Sequence, residues 1–462
     1  MALASDWDIE WRRYPEAAAY IVQLLESFTA AVAPAAALEQ DLMQFTSSHL
    51  LDWLDHLVLV DGEDVRRQLA DLGFAATEVA APDRERVVQC RGAIFPSLLL
   101  RSEPALPPGT VLAAAIQVED VSEFLLANHR VATVEGSPLS PYRRALAWSV
   151  DGRDLWIIER RGQAGFIPVN MSAEYADRYL RALETWRTRP REFEDVQVGM
   201  ARTLELARSL VSDMGTDLAA WIAFSAEREH WQRRNKAGAV QKVRQDRLGL
   251  GWANHDHHTF RSSREGFPLL IEILETFGFV PRERFYAGAE AGWGAQVMEQ
   301  PACRFAVFAD VDLAPDEVDG DFAHRALPPR KELGTVGLWC ALHGESMLSA
   351  GLHHLAARFD FDAVTASLAE WGVPMMQPFS EFTYLRQAFT RGERWRIPEE
   401  RLERLVAQGR IGSEQGERFR EAGAVGSHLE NIQRGDGFKG FNQQRISDII
   451  QRTDPRVEPS AA

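Results

Sequence analysis

Two histidine-bearing segments in the second half of the chain hold the residues best suited to chemistry: Asn254-His-Asp-His-His-Thr-Phe-Arg261 and Leu352-His-His-Leu-Ala-Ala-Arg358. His257 and Arg261 are four apart, and so are His354 and Arg358. On a strand that spacing puts both side chains on one face, so each histidine shares its face with an arginine. Pairing the two strands would bring both imidazoles to a common interior. Glu430, in Leu429-Glu-Asn-Ile-Gln-Arg434, offers a third donor directly ahead of the glycine-rich Gly435-Asp-Gly-Phe-Lys-Gly-Phe-Asn442. Two neutral imidazoles and one carboxylate leave three neighbouring positions free on octahedral iron(II). That is room for a chelating substrate and dioxygen together, so the set suits a non-haem iron oxygenase; other divalent metals fit the same donors.

Blander assignments stand beside this one. A lone histidine on a strand is usually structural, and Glu430 by composition alone reads as a surface carboxylate. The doublets His257-His258 and His353-His354 leave the register open; the shared arginine offset favours His257 and His354. His255, His343 and His428 read as local hydrogen-bonders. His255-x-His257 resembles the metal pair of a barrel hydrolase, but the later lysine, histidine and aspartate series is missing. Gly288–Gly294 lacks the spacing of a dinucleotide loop and reads as a turn.

The elements that must position these residues recur along the chain. After His257 comes a helix-like run, Pro268–Phe277, stopped at Gly278; after His354 comes Phe361–Trp371, stopped at Gly372. His56 sits in the strand-like Leu54–Val60, followed by an amphipathic Val65–Leu72 and Gly73. A glycine closing a helix before a new strand is a common C-terminal signal. A weaker fourth copy begins at Ala115-Ile-Gln117 and runs through Val121–Ala127. Such repeats of a strand–helix–strands unit point to a modular sheet architecture whose copies are related by duplication. Residues 8–50 and 172–246 read as helical, the latter as Tyr175–Trp186, Val198–Met214 and Trp221–Arg247, with their charges on a solvated face. The expected organisation is 1–171, helices plus a degenerate module pair; 172–249, a helical connecting layer; 250–452, the metal-binding catalytic pair; and 453–462, a tail.

Composition bounds the partners. A formal charge of −16 without a basic patch makes nucleic acid and anionic membranes poor partners, since both repel such a chain. No apolar run is long enough to span a bilayer, and the N-terminus lacks the basic start and apolar core of a signal peptide. Cys90, Cys303 and Cys340 are too few and too far apart for a disulfide framework, and read as buried thiols in a reducing cytoplasm.

At these residues the chain resembles the 2-oxoadipate dioxygenase/decarboxylase (2-hydroxyglutarate synthase) family of the vicinal oxygen chelate superfamily. Asp256-His-His-Thr-Phe-Arg261, His354-Leu-Ala-Ala-Arg-Phe-Asp-Phe-Asp-Ala363, Leu385-Arg-Gln-Ala-Phe389 and Glu430-Asn-Ile-Gln-Arg-Gly435 carry the resemblance, which spans about residues 250–452. It implies an α+β fold of paired strand–helix–three-strand (βαβββ) units forming half-barrel sheets with added helices, and an iron(II) enzyme that uses dioxygen to decarboxylate and hydroxylate a 2-oxo acid. It further implies His257, His354 and Glu430 as ligands, Arg261 as the clamp on a substrate carboxylate and Gln387 as a pocket residue. The last segment is also similar to 4-hydroxyphenylpyruvate dioxygenase, which implies Phe438 as a lid over the metal. The N-terminal half departs from the pattern: His56, Gln117 and Glu159 stand where the triad is expected, and a glutamine is a poor replacement for an imidazole. That half reads as a copy with a structural role. Two other classes remain: a metal-dependent isomerase or lyase of the same superfamily, separated by oxygen consumption, and a non-catalytic binding protein.

Overall fold

The structure is a computed structural model; it describes residues 10–82, 85–442 and 453–456. The expected tail, 453–462, falls mostly outside the described residues, as does the extreme N-terminus. Three helices come first: α1 (Pro15–Ala31), α2 (Ala33–Thr46) and α3 (Leu50–Trp53). Where the sequence reads as one helical stretch, α1 and α2 meet at a 114° bend. Pro34 sits in the first turn of α2, a position it favours, but a continuous helix would require an N–H that it lacks. Among the described residues no single helix is long and apolar enough to cross a membrane.

Four βαβββ units follow. The first is β1 (Leu54–Val60), α4 (Glu63–Asp71), β2 (Ala75–Ala76), β3 (Arg86–Gln89) and β4 (Ser97–Arg101). The second is β5 (Val111–Gln117), α5 (Val121–Ala127), β6 (Val134–Glu135), β7 (Tyr142–Val150) and β8 (Arg153–Arg160). The helical layer consists of α6 (Ala173–Arg187), α7 (Val196–Met214), α8 (Thr216–Gln232) and α9 (Lys236–Asp246). Here the expected continuous Trp221–Arg247 helix is broken. Asn235 leaves the helical conformation and its side chain accepts a hydrogen bond from Gly238 N, capping a new helix.

The third unit is β9 (His255–Arg261), α10 (Phe267–Thr276), β10 (Val280–Tyr286), β11 (Trp293–Gln300) and β12 (Phe305–Asp312). After α11 (Thr335–His343), the fourth is β13 (His354–Arg358), α12 (Phe361–Glu370), β14 (Ser380–Phe382), β15 (Leu385–Phe389) and β17 (Ala424–Arg434). It carries an insertion of β16 (Glu393–Trp395), α13 (Glu399–Ala407) and α14 (Ser413–Ala422). Each stop glycine does what its position requires: Gly278 and Gly372 have φ of +78° and +69°, which a side chain would resist.

The two sheets repeat one plan. Their strand orders are β2-β3-β4-β1-β5-β8-β7-β6 and β10-β11-β12-β9-β13-β17-β15-β14. In each, the first strands of the two units pair antiparallel at the centre, β1 with β5 and β9 with β13. Each first strand also runs parallel to the last strand of its own unit. This is the paired half-barrel α+β architecture that the resemblance implies, built on the repeats read in the sequence.

Helices cover the outer faces. Against the second sheet, Phe224 of α8 stacks on Phe279 and Phe305 at 4.9 and 5.2 Å, in a cluster that takes in Phe260, Leu355 and Leu429. Full burial of such a side chain contributes roughly 1.5–3 kcal/mol. The charges of this layer are not all solvated, contrary to the sequence reading. Glu227 is buried and accepts from Trp186 and Arg191, with Arg189 2.8 Å away. These groups tie the layer internally.

Candidate metal centre

The inner face of the second sheet is where the side chains of interest meet. His257 is paired in register with Ala356, and Ala356 with Glu430. Residues directly opposite share a face, and residues two apart along a strand share it too. His257, Thr259 and Arg261 of β9 therefore lie on one surface with His354 of β13, His428 and Glu430 of β17, and Gln387 and Phe389 of β15. His258 points the other way, into the helical layer, where its ring meets Phe224 edge-on at 5.1 Å. The geometry thus separates the first histidine doublet.

One donor atom from each of His257, His354 and Glu430 lies within 4.8 Å of the others, and all three residues are buried. Glu430 Oε2 is 3.2 Å from His257 Nε2 and 3.1 Å from His354 Nε2. That is the spacing of neighbouring donors around an ion held by bonds of about 2.1 Å. The groups around the trio hold it in place. Asp256 Oδ1 lies 3.0 Å from His257 Nδ1, which fixes a proton on Nδ1 and makes Nε2 the nitrogen that faces Glu430. Arg434 grips Asp256 through both of its carboxylate oxygens, at 2.8 and 3.0 Å. Gln387 Nε2 donates to Glu430 Oε1 at 2.8 Å. His353 Nδ1 is 3.0 Å from His354 Nδ1, so His353 stands beside the trio rather than in it. Thr259 Oγ1 lies 2.7 Å from His354 Nε2, so its hydroxyl competes for that nitrogen.

The electrostatics follow from burial and pairing. Burial disfavours an imidazolium at His257, but Glu430 and Asp256 outweigh it and push its pKa up to about 9. Burial likewise opposes an ionised Glu430, yet the two histidines bring it down to about 2. His354 is lowered, by burial first, against the pull of Glu430. Without a cation, then, the trio holds a proton on His257. A divalent ion offers the same compensation to Glu430 and would displace that proton.

Arg261 lies on the same face and is 2% exposed. Its Nε is 3.7 Å from Asp310 Oδ2, too long for a hydrogen bond, and its guanidinium stands over the Trp339 ring at 5.6 Å. Arg261 Nε and Nη1, Asp310 Oδ1 and Gln387 Oε1 have no hydrogen-bond partner among the described residues. Burial first, and Asp310's neighbours only partly in opposition, push the Asp310 carboxyl up to about 7. A buried guanidinium with unmet N–H groups is costly. Its counterpart in the other unit departs from expectation: Arg358 leaves the trio and lines a small cleft between the halves with Asp52, Asp55 and Arg304.

Phe438 packs edge-on against Tyr384 at 4.9 Å, and the phenylalanine rings on His257 are those of Phe308 and Phe441, at 5.0 and 5.1 Å. The residues that sequence reasoning missed are Asp256, Arg434, Thr259, Asp310 and Phe441. Only Asp256 had a local signal, as the carboxylate next to His257.

The first sheet shows how the same frame looks without such a site. His56 pairs with Ala115 and Ala115 with Trp156, so Trp156 holds the place of Glu430 and Ala113 that of His354. The sequence assignment of Gln117 and Glu159 to those places is therefore corrected. Glu159 is turned to the opposite face, where it accepts from Val121 N and Arg143 and pairs with Arg161. The interior is filled by Val58, Val60, Leu99, Ala113 and Phe166. His56 is held by Asp55 at 2.7 Å.

No protein-family model and no curated protein matches the chain. Among solved structures it is similar to a mutant of 4-hydroxymandelate synthase from Streptomyces coelicolor, at 13% identity over 87% of this chain and 98% of that one, with a TM-score of 0.29. It is similar to methylmalonyl-CoA epimerase from Mycobacterium tuberculosis, at 13% identity over 40% of this chain and 89% of that one, TM-score 0.23. Glyoxalase I from Zea mays follows at 12% identity over 23% and 43%, TM-score 0.19. By its own strand order and side chains, the chain is a paired βαβββ protein with a candidate metal centre inside its second sheet.

Proposed function

We propose that the protein is an iron(II)-dependent dioxygenase that oxidatively decarboxylates and hydroxylates a 2-oxo acid. The observation that carries this is the buried convergence of His257, His354 and Glu430 on one face. Two imidazoles and a carboxylate are the donor set that suits non-haem iron. Bound there, iron(II) would supply Lewis-acid and dioxygen chemistry at a single centre. The chain's own groups do the rest. Asp256 and Arg434 fix the His257 ring, and Gln387 fixes the Glu430 carboxylate. Arg261 offers unmet N–H groups to the far carboxylate of a bound acid, a contact that guanidinium forms bidentately. Asp310 beside it would have to be neutral at that moment, since two buried carboxylates cannot share one guanidinium charge cheaply. Phe441 and Phe308 cover His257 and limit water at the centre. An oxygen-electrode screen of the iron-loaded protein over 2-oxo acids tests the proposal. The expected result is substrate-dependent oxygen uptake with one carbon dioxide released per turnover. Turnover of a substrate without oxygen uptake would instead assign an isomerase or lyase.

A further inference from the structure

The N-terminal half, its own barrel interior filled, touches the second sheet at one telling place. The loop after β17 is rich in glycine and would be costly to hold in one conformation. On the site side, Arg434 donates to Phe438 O and Gly440 O at 3.0 and 2.7 Å while gripping Asp256. Phe441 then lies on His257 and, at 4.6 Å, on Phe308. On the other side, the loop is bound by segments far away in the chain. Tyr14 N donates to Asp436 O at 2.8 Å and Ile94 N to Gly437 O at 2.9 Å, and Ala93 forms a β-bridge with Phe438. Phe95 packs so tightly on Gly437 that a Cβ there would overlap its ring; the φ of +62° also demands glycine. Trp11 packs against Gly440, where a Cβ would come within 2.5 Å of its ring, and donates from Nε1 to Glu283 at 2.9 Å, with Arg282 and Lys439 against its ring.

We propose that the N-terminal half serves the metal centre as the anchor of its mouth loop, with Trp11 and Phe95 as positioning residues that hold residues 435–441, and through them Phe441, over His257. This gives the filled half a task that needs no metal of its own. It rests on the proposed metal-centred function for its purpose, but the anchoring itself is a property of the loop. Substrate would reach the buried trio only when these contacts open. Closing them would restore the ring on His257 and the Arg434–Asp256 grip together.

Hydrogen exchange of the 435–441 amides in Trp11→Ala and Phe95→Ala proteins tests the anchoring, with Trp11→Phe as the conservative control. Loss of the metal to an external chelator is followed in parallel. The expected result is exchange at least about tenfold faster in both alanine proteins, the scale on which a lost packing contact shifts a local opening equilibrium. Exchange in β1 and β9 should be unchanged, Trp11→Phe should stay near wild type, and metal loss should accelerate with saturating metal content unchanged. If Phe95→Ala loosens its own half globally, Trp11→Ala decides, because Trp11 lies outside every helix and strand. Unchanged exchange at 435–441 overturns the anchoring. Faster exchange with unchanged metal loss overturns its service to the centre. Faster exchange in a protein that binds no metal upholds the anchor and refutes the metal-centred function instead.

Discussion

Arg261 carries the sharpest consequence for substrate choice. It is buried, faces the interior that holds the trio, and among the described residues its Nε and Nη1 have no hydrogen-bond partner. Replacing it by lysine should leave metal content intact and weaken use of a dicarboxylic 2-oxo acid more than of a monocarboxylic one of similar length, because an ammonium cannot form two parallel hydrogen bonds. Steady-state kinetics on such a pair of acids checks this; equal loss for both would make Arg261 a partner of the sheet alone. The trio and Arg261 were legible in the sequence because strand periodicity puts every second side chain on one face. Asp256's role was not. Its partner Arg434 is far away in the chain, and no local pattern joins them. Phe438 and Phe441 are three apart in a glycine-rich loop whose path periodicity cannot give.

At the scale of elements, the repeat was readable and its register was not. Helix-stop glycines and matched histidines outlined three of the units and the weaker Ala115–Gln117 and Val121–Ala127 pattern the fourth, yet the places of Gln117 and Glu159 were misread. Glu159 is one residue beyond Ile158, the partner of Gln117, and one residue on a strand turns a side chain to the opposite face. Because Trp156 and Ala113 stand where donors would be needed, His56→Ala should retain metal and turnover if the protein stays folded. Loss of activity at unchanged stability and metal content would place the chemistry in the wrong half. The helical layer has its own test. Glu227 is held at a pKa of about 2 because Arg189 and Arg191 outweigh the burial that opposes its charge. Glu227→Ala strands both guanidiniums and should destabilise by about 3–5 kcal/mol, the usual loss when one member of a buried pair is removed. Denaturant unfolding measures it, and a loss under ~1 kcal/mol would show the pairs to be solvated.

Across the whole molecule, buried and half-buried imidazoles set the response to acid. His230 is lowered to about 4 and His343 to about 3, both by burial first and by neighbouring arginines. A histidine depressed in the folded state contributes stability that is full above its unfolded pKa near 6.5 and is lost as pH falls toward the folded value. Stability should therefore decline from about pH 6.5 downward, and Glu227 adds to the loss below about 4.5 by the same rule for a depressed acid. Unfolding midpoints across this range check it; a midpoint flat from pH 7 to 4 would mean these rings are hydrated. Metal content reads the His257, His354 and Glu430 centre without any intermediate step. Wild-type protein loaded anaerobically with iron(II) and desalted should hold one ion per chain. His257→Ala, His354→Ala and Glu430→Ala proteins, still folded, should each lose most of it. Full occupancy in folded His354→Ala protein, or none in the wild type, would contradict the account.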